Sequence, residues 1–192
     1  MKRIKENITD KQFKVLMTHL HGDTSIRNNR KQRLTTIFNL LYYTGLRVNE
    51  TTQFTDTMLS ELINNKTLIV ETHKTKTERV LYITDNGQKY LRKVFDDLHK
   101  TDSKLVQSER CTRELNTNSV TRDVNSYLKV VFGKDTRITT HSFRQTLITQ
   151  LSECGVNTKV IQTLIGHKSV NSTLRYIKPS VETVVNSLNG VR

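Results

Sequence analysis

The sequence predicts a mainly α-helical fold carrying one small antiparallel β-hairpin. Three observations point there. The 192 residues include one proline and seven glycines, so little in the chain breaks helices. Apolar residues recur at three- and four-residue spacing along most of its length. One stretch has a different texture: Thr67 to Val70 and Val80 to Ile83 are short β-prone runs separated by polar, lysine-rich residues.

The elements follow in order. Phe13, Leu16, Met17 and Leu20 mark a first helix after Thr9 or Asp10 as N-cap. Gly22 to Arg33 is polar and basic and reads as a loop leading into a second helix, which runs through Leu34, Ile37, Phe38 and Leu41 to about Tyr43. Thr44-Gly45 interrupts it, and Leu46 to Gln53 reads as a short helix. The two β-prone runs form a hairpin with Lys74 and Lys76 at its tip. Helical periodicity returns from Gly87 to Leu98 and from Ser119 to Phe132, with an ill-defined polar stretch over 101–117 between them. Three helices follow, His141 to Glu153, Thr158 to Ile165 and Val170 to Ile177, the second ended by Gly166. Pro179 blocks simple continuation of the third, and Val181, Val184, Val185 and Leu188 suggest a last short helix over about 180–190.

Composition narrows the function. Lys and Arg number 31 against 18 Asp and Glu, a formal charge of +13 that attracts a polyanion, with nucleic acid the first candidate. No run reaches the roughly 18–20 apolar residues that a membrane span needs, and the charged N-terminus Met1 to Glu6 has no apolar stretch after it to make a secretory signal. Cys111 and Cys154 lack metal-ligand spacing and suit a reducing cytoplasm; Cys154, next to Gly155 at a helix end, is expected to be a small buried residue.

Between Thr136 and Tyr176 the only acid is Glu153, which leaves no clustered carboxylates for a two-metal nuclease. No phosphate-binding GxxxxGK[ST] loop and no Gly-x-Ser-x-Gly elbow occurs. Metal-free chemistry on a phosphate fits what is present. His141 and Arg144 fall on one helix face, where the arginine can fork two donors onto phosphate oxygens. Thr139 or Thr140 would cap that helix. His167 follows a helix-ending glycine, and Tyr176, beside Arg175, offers a phenol that can attack phosphorus. Taken singly, each of these is ordinary: a His-x-x-Arg pair is commonly a surface pair, and a lone tyrosine is commonly packing. Their order and spacing raise the odds.

Thr44-Gly45-Leu46-Arg47-Val48-Asn49-Glu50 resembles the Thr-Gly-Leu-Arg-x-x-Glu box of the phage-integrase, or tyrosine recombinase, family. His141-Ser142-Phe143-Arg144 is similar to its His-x-x-Arg box, Leu164-Ile165-Gly166-His167 to its Leu-Gly-His box, and Tyr176 stands at the nucleophile's distance. Lys74-Thr75 before Arg79-Val80-Leu81 looks like the family's β-hairpin lysine, and Ile8 to Gln12 resembles the usual opening of the catalytic domain. The resemblance runs from about residue 8 to 180. It departs at Gln145, where histidine is frequent, at the absent strand proline near Tyr82, and at Ile165 in place of leucine.

The resemblance implies the family's catalytic-domain fold and a site-specific DNA recombinase or integrase of a mobile element, working through a 3′-phosphotyrosine with no cofactor and no metal. Arg47, Lys74, His141, Arg144, His167 and Tyr176 would be catalytic, with Glu50 and Lys76 supporting and Arg137, Lys168 and Arg175 on DNA. Residues 1–192 are expected to be a single catalytic domain, with a core over about 8–178 and no separate N-terminal core-binding domain. The expected partner is double-stranded DNA, bound as a homotetramer by a chain that is otherwise monomeric or weakly associated, with room for an accessory DNA-bending protein and no membrane. The expected place is the cytoplasm, at the nucleoid. The last helix either packs on its own domain or docks into a neighbour. Two rivals stay open: a non-catalytic DNA-binding protein on the same fold, and a type IB topoisomerase-like relaxing enzyme.

Overall fold

The computed structural model describes residues 6–72, 77–98, 104–106, 115–167, 169–174, 177 and 189. These residues form a mainly helical structure with one two-stranded antiparallel sheet. In chain order the elements are α1 (Asp10–Gly22), α2 (Asn28–Thr44), α3 (Val48–Thr51), α4 (Asp56–Asn65), β1 (Thr67–Thr72), β2 (Thr77–Tyr82), α5 (Asp85–Asp96), α6 (Thr117–Phe132), α7 (Thr140–Glu153), α8 (Thr158–Ile165) and α9 (Val170–Leu174).

Helix α2 is the axis of the fold. Its C-terminal half is buried on every side, through Thr36, Ile37, Phe38, Asn39, Leu40 and Leu41, so it packs against neighbours all round. On one side Leu34, Ile37, Phe38 and Leu41 meet the buried faces of α1, α6 and α7, including Leu16, Val124, Tyr127 and Phe143. On the other, Leu40 joins Leu59, Leu62, Leu68, Leu81 and Leu91 from α4, the sheet and α5. A smaller cluster of Ile148, Ile161 and Ile165 fastens α8 to α7. The segment before α1 is sewn to α7 by the Thr146 hydroxyl, which accepts from the Ile8 N–H at 2.8 Å and donates to the Ile8 carbonyl at 3.1 Å.

Several elements differ from expectation. Helix α2 starts at Asn28, so half of the presumed polar loop is helical; tertiary partners decide it, because Arg30 and Arg33 both pair with Asp123 of α6. The short helix expected over 46–53 shrinks to α3, because Arg47 is extended (φ −77°, ψ 151°) and its N–H donates to the Glu50 carboxylate at 2.6 Å. Helix α4 was not expected at all, although Thr55 caps it by accepting from the Met58 N–H and Leu59, Leu62 and Ile63 form its buried stripe. The strands are longer than the β-prone runs, with Ile69 paired to Val80 and Thr72 to Thr77, whereas Ile177, the expected end of the last of the three helices, is itself not helical. Cys154 is exposed, not buried: it is the C-cap of α7, at a turn completed by Gly155 at φ +75°. Cys111, the hairpin tip with Lys74 and Lys76, and the segment expected to form the last helix, Asn189 apart, lie outside the described residues.

Candidate active site

Two glycine turns and one helix build the site. Helix α2 ends at Gly45 in the left-handed conformation (φ +63°), which no β-branched residue adopts readily. A Cβ there would also lie 2.6 Å from Cδ2 of Leu147. The turn buries Leu46 and presents Arg47 as the N-cap residue of α3. Helix α8 ends at Gly166, again left-handed (φ +70°), where the His167 N–H closes the turn on the Gln162 carbonyl at 3.0 Å. Helix α7 runs between the two turns and carries His141 and Arg144 one turn apart.

Arg144 is buried, and its guanidinium donates to the Gly45 carbonyl at 2.9 Å and to the Ile165 carbonyl. It therefore ties both glycine turns to α7. Arg47 is half-buried; it donates to the Gly166 carbonyl at 3.2 Å and pairs with Glu50 at 3.3 Å. Buried Glu50 also accepts from Arg79 of β2 at 2.9 Å. Burial alone would push the Glu50 carboxyl up, but the Arg79 charge, the Arg47 N–H and the charges of Arg144 and Arg47 hold it below the ordinary carboxylate range.

His167 places Nδ1 2.9 Å from the hydroxyl of Thr173, which α9 buries completely. Burial, reinforced by the positive charges of Arg144, Arg47 and Arg79, pulls its imidazole from 6.5 down to about 4. It is neutral at neutral pH. Exposed His141 sits in the first turn of α7.

These groups line one cleft of about 290 Å³, bounded by Arg47, His141, Arg144, Gln145, Ile148, His167 and Ser172. Four of the six residues expected to be catalytic are thus gathered from three stretches of sequence, and Glu50 lies directly behind Arg47. Lys74 and Tyr176, with Lys76, Lys168 and Arg175, fall outside the described residues. Arg137 is exposed in the loop before α7 and does not line the cleft. The sequence reading noted Gln145 only as a departure from the family's box, missed Ser172 and Thr173, and used Arg79 only to set the hairpin register. Arg79 had a legible signal: with Leu81 it occupies the inward face of β2, and an arginine there needs a buried partner.

Two arginines and two histidines around one cleft on a helical scaffold make a site suited to an anionic, phosphate-like group. A family model described as the phage integrase family matches residues 6–183, and the chain belongs to that family. Among its relatives, "Tyrosine recombinase XerC" of Chlamydia pneumoniae is 29% identical over 191 residues, covering 94% of this chain and 57% of the relative. The chain spans about half the length of the curated relatives it matches. Its fold resembles the crystal structure of XerA recombinase, with a TM-score of 0.73 at 20% identity, over 100% of this chain and 65% of that one. It also resembles the Tn1549 transposon integrase in complex with a circular intermediate DNA, with a TM-score of 0.66 at 17% identity, over 100% of this chain and 67% of that one.

Proposed function

We propose that this chain is the strand-cutting domain of a site-specific DNA recombinase that works through a 3′-phosphotyrosine at Tyr176, with no metal or nucleotide cofactor. The observation that carries the reading is the cleft, where Arg47, Arg144, His141 and His167 converge. The family match, the +13 charge and a relative named as a tyrosine recombinase support it, as do fold neighbours described in complex with DNA.

In this reading a phosphodiester enters the cleft and Arg47 and Arg144 hold its non-bridging oxygens. Both guanidinium groups are already fixed by carbonyl or carboxylate partners, so they stabilise developing charge with little reorganisation. For neutral His167 to donate an Nε2–H to the phosphate, Nδ1 must accept from the Thr173 hydroxyl, which lies 2.9 Å away. The Tyr176 oxygen attacks phosphorus while His141 takes the phenolic proton. The bond to the 5′-oxygen breaks, and Lys74 protonates the departing oxygen. A 5′-hydroxyl of a partner strand reverses the step, so the energy of the broken bond is conserved. Arg137, Lys168 and Arg175 contact flanking phosphates, which confer affinity rather than sequence preference. The working assembly is a tetramer on duplex DNA, at the nucleoid.

The test mixes the protein with a random library of nicked duplexes, denatures in SDS, and sequences the ends of protein-linked DNA. Adducts from wild type and none from Tyr176→Phe are expected, with ends converging on one site. DNA binding without adducts, in the presence of an added core-binding domain, would point to a non-catalytic DNA-binding protein.

A further inference from the structure

Arg79 is a buried charge beside the cleft residues to which the proposed chemistry gives no task. It lies on the inward face of β2 at 7% exposure. One nitrogen of its guanidinium donates to Glu50 at 2.9 Å and another to the Leu164 carbonyl at 3.1 Å. Its Nε has no hydrogen-bond partner. Its side chain runs close under the turn after α8, since a Cβ at Gly166 would lie 2.7 Å from Arg79 Cδ.

The contacts close a ring. Arg79 holds Glu50; Glu50 accepts from both the N–H and the guanidinium of Arg47; Arg47 reaches the Gly166 carbonyl; and Gly166 rests on Arg79. An arginine carried here for stability alone would be a poor choice, because a buried ion pair generally contributes no more than apolar packing of the same volume. What an apolar residue could not do is fix one carboxylate rotamer and one helix end simultaneously.

We propose that Arg79 is a positioning residue: through Glu50 it sets the rotamer of Arg47, and through the Leu164 carbonyl and the Gly166 turn it sets the direction of His167. The proposal rests on the recombinase reading. Lysine keeps the charge but, having a single nitrogen, lacks the fork that serves Glu50 and Leu164 together.

The test follows Arg79→Lys by thermal unfolding, by DNA affinity, and by the first-order rate of adduct formation on a nicked duplex. The expected result is a folded protein whose Kd for DNA stays within about twofold while cleavage slows about 10- to 100-fold, the range typical of groups that orient a reacting shell. In an Arg47→Lys background the same change should slow cleavage much less, because the two residues act as a unit. Full-rate cleavage by Arg79→Lys would overturn the proposal, and so would losses that multiply independently in the double variant. A variant that cannot fold would overturn it as well, since Arg79 would then hold the fold rather than the site. Wild type and Tyr176→Phe run alongside. No adduct from wild type, with a core-binding domain added, contradicts the recombinase reading itself, whereas adducts from wild type leave the outcome to rest on the Arg79→Lys rate.

Discussion

The Arg144 guanidinium donates to the Gly45 carbonyl at 2.9 Å across 99 residues of sequence. With its second bond, to the Ile165 carbonyl, it locks the turn that presents Arg47 to the turn that presents His167. In the proposed mechanism the same side chain also stabilises transition-state charge. Arg144→Lys should keep the charge and most of the fold yet lower adduct formation by about 100-fold or more, the scale of a lost transition-state donor. Single-turnover cleavage of a nicked duplex measures it, and a rate within about threefold of wild type would remove Arg144 from the chemistry.

Glu50 and Arg79 are both almost fully buried, with side-chain exposures of 6% and 4%. Removing one partner strands the other charge in a poorly solvated place. Glu50→Gln should lower the unfolding free energy by about 3 kcal/mol, read from urea denaturation with the slope unchanged. A loss below about 1 kcal/mol would mean that Arg79 finds another partner.

His167 gives the fold a pH dependence of definite sign. Its folded value, about 4, lies below the ordinary 6.5, so between those limits the unfolded chain binds a proton that the folded chain refuses. Stability from this group is therefore complete above pH 6.5 and falls as pH drops toward 4. Thermal melts across that window should show a shallower decline for His167→Gln than for wild type; parallel declines would contradict the burial of a neutral imidazole.

Gly166 combines a positive φ with close approach to Arg79. Gly166→Ala should cost about 1–2 kcal/mol from backbone strain alone, plus whatever Arg79 loses by moving. The same substitution at exposed Gly22, where an added Cβ meets nothing within 4 Å, should leave the melting temperature within a degree or two of wild type. Equal melting temperatures for Gly166→Ala and wild type would contradict the crowding.

Much of this was readable from the sequence, for physical reasons that differ by element. Helices α1 and α7 show because their buried residues repeat at helical spacing, and the glycines at 45 and 166 show because only a left-handed turn needs them there. The four cleft residues were legible through box order, not through any single motif. The start of α2 was hidden because its first turn is polar on both faces and is held through Arg30 by Asp123, 93 residues away. The exposure of Cys154 was missed because a cysteine's default burial says nothing about a solvent-facing C-cap. Arg79 was underread because its alternation with Leu81 marks the inward face, but its buried partner, Glu50, lies 29 residues earlier on another element.

Everything proposed for the cleft depends on Tyr176 forming the covalent bond to DNA. The most direct measurement is peptide mass spectrometry of the adduct trapped on a nicked duplex, with both DNA ends defined. The expected result is one modified peptide, with a 3′-phosphoryl nucleotide on the Tyr176 oxygen and a free 5′-hydroxyl on the other fragment. A linkage to any other residue, or to a 5′-phosphate, would contradict it.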